Sequence, residues 1–361
     1  MRFVLLFSLL VASARADWRL ALPGWKYQFP ADHGNHPEFK IEWWYFTGNL
    51  VAAEGREFGY QLTFFRHGVM PRDADIIPLS QFVTSNVKFA HFAVSDISGS
   101  AFHFFQKLSR GAFGEAGFGE GQRLAWIEDW SCTLGDDGVF RIEAKADDLS
   151  LELRLKPAKP PVVHGKDGVS RKAEGEGRAS HYYSFTRLLS EGILRIGKEE
   201  FVVSGLSWFD HEWATNQLAA NQIGWNWLSV QLDDGSELML YQFRTENGAA
   251  DPSSSGTFVD ANGVATPLAE ADFSLEPMET WSSSRSGGVY PVKWRIAIPR
   301  LQMGLDVSAA LDDQELRLKP IEYWEGSIRV QGMVDGKAVK GSGYLEMTGY
   351  TGPIAGMQAN P

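Results

Sequence analysis

EWWYFTGNL (Glu42 to Leu50) and FGYQLTFFR (Phe58 to Arg66) flank Glu54-Gly55, while WLSVQL (Trp227 to Leu232) and ELMLYQFR (Glu237 to Arg244) flank Asp233-Asp234-Gly235-Ser236. Each pair sets aromatic and aliphatic runs on either side of a short polar turn containing glycine, the pattern of a β-hairpin. The two hairpins also match each other. Trp43-x-Tyr45, Leu50 and Tyr60-Gln61-Leu62 correspond to Trp225-x-Trp227, Leu232 and Tyr241-Gln242-Phe243 at an offset of 181 to 182 positions. Further on, Glu152 to Pro157 (ELRLKP) recurs letter for letter as Glu315 to Pro320, and Gly197-Lys198 with Ser204-Gly205 echoes Gly336-Lys337 with Ser342-Gly343. The order is kept while the offset shrinks from 182 to 163 to about 139, so the first copy carries extra residues. Two stretches rich in Gly, Pro and charge, Ser109 to Gln122 and Lys156 to Ser180, read as the long surface loops that supply them.

Neither copy shows an amphipathic helix longer than two turns, and each has room for about eight to ten strands. That suits an all-β chain of two tandem antiparallel β-barrel domains, because closure removes exposed edges and an eight-stranded interior can hold one small ligand. A flattened sandwich fits the same periodicity. The boundary falls near residue 214, giving domains of 17–213 and 214–361.

Residues 1–16 read as a signal peptide: Arg2 begins it, FVLLFSLLVA (Phe3 to Ala12) is its apolar centre, and Ala14-Arg15-Ala16 is a small-x-small cleavage site. About ten apolar residues are too few to span a bilayer, which takes about 20. Cleavage after Ala16 implies a secreted or periplasmic protein, and the mature chain has no other long apolar run and so no expected transmembrane segment. It also removes Arg2 and Arg15, moving the formal charge from -11 to -13. Nucleic acid is therefore not an expected partner, since that affinity comes from basic residues displacing counterions. The single cysteine, Cys132, permits no internal disulfide and reads as a small buried hydrophobe.

Two clusters carry the candidate chemistry. In the first, alternation puts Glu42, Trp44 and Phe46 on one strand face and Trp43, Tyr45 and Thr47 on the other. A carboxyl flanked by indoles on an inward face holds its proton tightly and serves as a general acid; Glu42 paired with a structural Arg or Lys is the alternative. His33, His36 and Glu38 hint at zinc, but on a loop and without the helical His-Glu-x-x-His spacing, so no metal is expected. The second cluster is Trp208-Phe209-Asp210-His211-Glu212-Trp213, at the domain junction, where ligand pockets commonly form. Three ionisable groups among three large aromatics are costly to bury without purpose. They make either a site, with Asp210, Glu212 and His211 catalytic, or an ion-pair network locking the domains together. Trp225, Trp227 and Tyr241 add aromatic lining beside Trp43, Trp44, Tyr45, Trp208 and Trp213. No Gly-x-Ser-x-Gly elbow, phosphate loop, dinucleotide fingerprint or Cys-x-x-Cys occurs, so no cofactor is expected.

Asp-His-Gly-x-His-Pro-x-Phe-x-x-Glu-Trp-Trp-Tyr (Asp32 to Tyr45), Tyr60 to Arg66, Trp208 to Trp213, Gly224 to Trp227 and Gly343 to Tyr350 together resemble the AttH family of secreted proteins, grouped with carotenoid 1,2-hydratases (hydroxyneurosporene synthases). The resemblance runs from about Trp18 to Tyr350. It implies two lipocalin-like domains with a pocket near their contact and a lipophilic small-molecule ligand. In the hydratase branch it implies cofactor-free addition of water to an isolated C=C bond of a polyene. It also admits a noncatalytic lipid carrier or an accessory partner of an ABC transporter permease. The chain departs from the pattern at His211, where many relatives carry Arg, and at Asn226, where Asp is common. For hydration, Asp210 is the expected acid, Trp208, Trp213 or Trp225 stabilise the cation, and Tyr241 or His211 places the water.

Overall fold

A computed structural model describes residues 17–71, 84–119, 121–318 and 322–352; the expected signal peptide at 1–16 lies outside them. The chain is nearly all β, in two antiparallel sheets, one a nearly closed barrel and the other a half-barrel. Both hairpins form where the sequence places them. Ile41–Ala52 pairs with Glu57–Gly68, and Gln222–Leu232 with Glu237–Thr245. Each turn closes through the same bond, from Ala52 N–H to Arg56 O and from Leu232 N–H to Ser236 O, both 2.9 Å. Gly55 and Gly235 adopt φ of +86° and +85°, a left-handed backbone that side chains disfavour.

The thirteen-stranded sheet uses strands up to Ala214, and the ten-stranded sheet starts at Gln222. In each, the first hairpin lies beside the last one. Ile41–Ala52 pairs with Glu199–Ala214, itself joined to Ala179–Ile196; Gln222–Leu232 pairs with Lys337–Met347, itself joined to Glu322–Val334. The ladders also correct the repeat. Leu50 faces Gly205 and Val230 faces Gly343, so equivalent positions lie 180 apart in the opening hairpins and 138 apart in the closing ones. The offset of 182 is a slip of two residues, which keeps each side chain on its face. The 181 of Tyr60-Gln61-Leu62 against Tyr241-Gln242-Phe243 is a slip of one, and Tyr60 packs in the first barrel while Tyr241 lies between the sheets. The ELRLKP match is not a structural equivalence. Its first copy lies in Leu149–Pro157, a full strand of the barrel; its second copy, described as far as Leu318, forms only the three-residue strand Glu315–Arg317. By place in the sheet, Leu149–Pro157 corresponds to Met303–Ala309.

Neither expected surface loop is merely one. Ala116–Phe118 becomes the end strand of the first sheet, and Phe118 stacks on Trp44 with ring centroids 4.7 Å apart. Between 156 and 180, Val162–Val163 and Ser170–Arg171 pair with Ala179–Ile196 and bury His164 and Lys172. Apolar side chains bury themselves wherever the fold offers a wall, and Gly-rich composition does not report that.

Alternation then sorts most apolar side chains into three cores, beside a small fourth cluster of Ala93, Leu316, Leu318 and Tyr323. Trp44, Phe46, Phe209 and Trp213 fill the first barrel, and Leu228, Val230, Trp324 and Leu345 the half-barrel. Tyr45, Tyr182, Trp208, Trp225, Trp227, Tyr241 and Tyr344 pack between the sheets. Polar ties cross the same layer. Gln231 Nε2 donates to the carbonyls of Thr186 and Ser207 (2.8 and 2.9 Å), Asn49 Nδ2 donates to that of Gly343 (3.1 Å), and Glu237 takes Lys159 and Arg187 as partners at 2.7 and 2.5 Å. At Gly59 a Cβ would lie 2.7 Å from that of Ser327, so glycine there permits the close approach. Cys132 is fully buried in the first barrel, and burial pushes its thiol far above the usual range. Among the described residues no helix is long and apolar enough to cross a membrane.

Candidate functional site

The strands 41–52 and 199–214 present opposite chemistry on their two faces. On the face toward the second sheet, Trp43 and Tyr45 stand opposite Glu212 and Asp210. From the second sheet come Trp225, Trp227, Tyr241, Glu325 and Glu346. These residues, with Phe65, Phe89, His91, Tyr182, Tyr323 and Thr348, enclose a cavity of about 100 Å³. That is smaller than the roughly 150 Å³ that holds a benzene ring, so it admits one small group.

Four carboxyl groups reach this cavity. Glu212 is neutralised by Lys172 at 2.9 Å, both side chains buried, and Lys172 also sits 4.2 Å over the Tyr241 ring. Among the described residues Asp210 has no such cation. It accepts from Tyr182 Oη (2.8 Å, on Oδ2), and from Trp208 Nε1 (2.6 Å) and Ser184 Oγ, both on Oδ1. Burial, reinforced by the charge of Glu212, still outweighs these donors and pushes its carboxyl up to about 7. With both lone pairs of Oδ1 engaged, the proton belongs on Oδ2, which keeps one direction open.

Glu325 and Glu346 face each other across neighbouring strands. Burial, reinforced by Glu346, holds Glu325 well above the usual carboxylate range despite the Tyr45 and Tyr323 hydroxyls beside it. Burial also raises Glu346 to about 7, although Trp225 Nε1 donates to it at 3.2 Å. Burial, reinforced by Glu325 beside it, holds the Tyr45 hydroxyl well above its usual range. His91 bonds Tyr323 Oη through Nδ1 at 2.6 Å, and burial lowers it to about 3, so it is neutral.

Behind the same strands lies a second acidic group. Glu42 accepts from Arg66 Nε (3.1 Å), His36 Nδ1 (2.8 Å), His211 Nε2 (3.0 Å) and the His36 backbone N–H (3.0 Å). Burial alone would raise it, but His211, His36 and Arg66 together hold it far below the usual range. It is therefore a counter-ion and not a proton donor, the alternative its sequence environment left open. His36 is held between Glu42 and Asp32 (3.2 Å), which overcome burial and raise it to about 9. Ligand atoms of His36, Glu42 and His211 lie within 4.8 Å of one another, a set that resembles a metal centre. Their lone pairs are spoken for: Arg66 holds Glu42, and the remaining nitrogens bond Asp32 and, on His211, the Asp32 carbonyl at 3.0 Å. The chemistry fits an ion-paired network better than a cation site.

The sequence candidates thus divide. Asp210, Glu212, Trp43, Tyr45, Trp225, Trp227 and Tyr241 meet at the cavity, with Trp208 bonded to Asp210 behind its wall. Glu42, His211, Trp44 and Trp213 turn into the first barrel, where Trp213 stacks on His36 at 3.7 Å and Trp44 on His211 at 4.6 Å. Sequence reasoning passed over His91, Glu325 and Glu346 as site residues. Each is a lone ionisable residue in an apolar strand (FAHFAV, YWEGSI, GYLEMT), and that isolation is the signal that could have marked them.

A family model described as AttH-like matches residues 20–350. An AttH protein of Nitrosomonas europaea is 34% identical, with 92% of this chain and 99% of that one covered at a TM-score of 0.81. Kievitone hydratase from Nectria haematococca shares the fold at 14% identity, covering 93% and 99% with a TM-score of 0.70. CghA does so at 14%, covering 92% and 97% with a TM-score of 0.52. Comparison with curated proteins returns no match.

Proposed function

The chain belongs to the AttH-like family, and from that premise we propose that its inter-sheet cavity protonates an isolated C=C bond at the end of a lipophilic molecule, beginning a hydration. The observation that carries this reading is Asp210: a buried carboxylic acid, raised to about 7, that lines an aromatic cavity. Protonating an unactivated alkene needs such a poorly solvated acid. Asp210 Oδ2 gives its proton to the less substituted carbon, and a tertiary cation forms beside the faces of Trp225, Trp227 and Tyr241. Water adds to the cation and its surplus proton returns to the Asp210 carboxylate, so that alkene plus water becomes a tertiary alcohol and the acid is restored. A structural neighbour with a hydratase's name supports the reaction class. The cavity's size favours one branched chain end over a whole polyene. We place the domain boundary near residue 214 and the site of action outside the cytoplasm, after loss of residues 1–16.

The test is incubation with an acyclic polyene bearing a terminal dimethyl alkene in ¹⁸O-labelled water, followed by mass spectrometry. Labelled tertiary alcohol is expected, reduced at least about 10²-fold in Asp210→Asn. A variant that converts the polyene as well as wild type removes Asp210 from this role. A protein that turns over no alkene but yields an unaltered lipid on extraction into organic solvent is a carrier instead.

A further inference from the structure

We propose that His164, outside the cavity lining, is a positioning residue for Asp210: as its Nε2–H tautomer it holds the Ser184 hydroxyl on Asp210 Oδ1, so that the acid's proton is left to Oδ2. The role deepens the hydration reading and rests on it for Asp210 as the acid, but it belongs to the resting protein and is read without turnover.

The hydrogens can be followed atom by atom. His164 Nε2 lies 2.7 Å from Ser184 Oγ and its Nδ1 lies 2.9 Å from Thr257 Oγ1, while Ser184 Oγ donates to Asp210 Oδ1. His164, Ser184 and Thr257 are all buried, so bulk water does not compete for these bonds. Ser184 has one hydroxyl hydrogen and spends it on Asp210; toward His164 it therefore accepts, and Nε2 carries the proton. Burial, reinforced by the charge of Lys172, lowers His164 to about 3 and keeps the ring neutral. Nδ1 is then an acceptor, which the Thr257 hydroxyl fills. The reversed chain would need the acid's proton on Oδ1, weakening the acceptor that Trp208 Nε1 meets at 2.6 Å.

The other hydroxyl on Asp210 is fixed by the same device. Tyr182 Oη donates to Oδ2 and accepts from Trp227 Nε1 at 3.2 Å. Trp227 and Thr257 both belong to the second sheet, so the two lines tie the state of Asp210 to its docking. His164 is itself set by the backbone: its N–H donates to the Tyr182 carbonyl at 2.9 Å, next to Val162–Val163, which pairs with Ser184 and Tyr183. The same segment between 156 and 180 brings Lys172 to Glu212. It thereby gives one acid an ammonium and the other a chain of neutral donors.

Infrared spectroscopy tests this on the full chain at about pH 5, where Asp210 is protonated. Its C=O stretch is the band that Asp210→Asn removes. In His164→Phe the Ser184 hydroxyl loses its donor and turns, and the band should move to higher wavenumber, because a carbonyl with fewer donors is less polarised. His164→Gln, whose side-chain N–H takes the place of Nε2, should bring the band back. Should His164→Phe not fold, Thr257→Val should displace the band in the same direction by releasing the tautomer. Imidazole ¹⁵N spectra, with His164 assigned as the signal that His164→Gln removes, should show the proton on Nε2. An unmoved band in the folded variants, a band displaced alike in His164→Phe and His164→Gln, or a proton on Nδ1 overturns the proposal. A displaced band in a protein that turns over no alkene retires the hydration reading alone, and turnover with an unmoved band retires this one alone.

Discussion

Glu42 and Asp210 are both buried carboxyls on adjacent, paired strands, yet they end in opposite states because they face opposite ways. Glu42, turned into the first barrel, meets a guanidinium, two imidazoles and a backbone N–H, and is ionised. Asp210, turned toward the second sheet, meets two hydroxyls and an indole, none of them charged, and holds its proton to about 7. Burial acts on both; the charge and number of donors decide the outcome. A strand that alternates its faces can therefore carry a structural ion network and a proton-bearing cavity one residue apart.

The contrast breaks most visibly at Glu42. Removing its charge in Glu42→Gln leaves Arg66 and the His36 imidazolium buried beside too little counter-charge, and should cost about 3–5 kcal/mol in urea denaturation at pH 7. A loss below about 1 kcal/mol would mean that Glu42 is not the counter-charge of Arg66 and His36.

Next in size is the alkaline limb of stability. His36 is raised from 6.5 to about 9, so its contribution is complete below pH 6.5 and is lost as pH climbs through about 9. Wild type should lose up to about 3 kcal/mol over that window through His36, and His36→Gln should lose less than wild type by that amount. The smallest effect is expected at Asp210. Its folded carboxyl is raised from 3.8 to about 7, so stability favoured by its proton is present below pH 3.8 and is lost as pH rises to about 7. Asp210→Asn stays neutral and should gain about 1 kcal/mol on wild type between pH 6 and pH 8, the last part of that loss. An unchanged difference between the two pH values would place an ionised carboxylate at 210 throughout.

Hairpins, duplication and the two-faced clusters were legible because each depends on local alternation and turn chemistry. Trp43 and Tyr45 fell on one face and Glu42 and Trp44 on the other, as period two requires. Which face was the cavity was not legible, since Glu42 before Trp43 and Trp44 looks as acidic and aromatic as Asp210 after Trp208 and Phe209. Arg66, the partner that separates them, lies 24 positions from Glu42 and is brought there by the hairpin register. Glu325 and Glu346 escaped for a similar reason: each is an ordinary glutamate until the ladder sets them opposite one another.

By itself, then, the sequence determined the β character, the paired hairpins and the two-fold order of the chain, because strand alternation and glycine turns act over a few residues. Only the tertiary structure decided that the second sheet forms a half-barrel, that ELRLKP serves unlike strands, and that three acids without cations converge on one cavity. Those outcomes depend on which surfaces meet across more than a hundred residues, where burial and the arrival of a distant charge set each group's protonation.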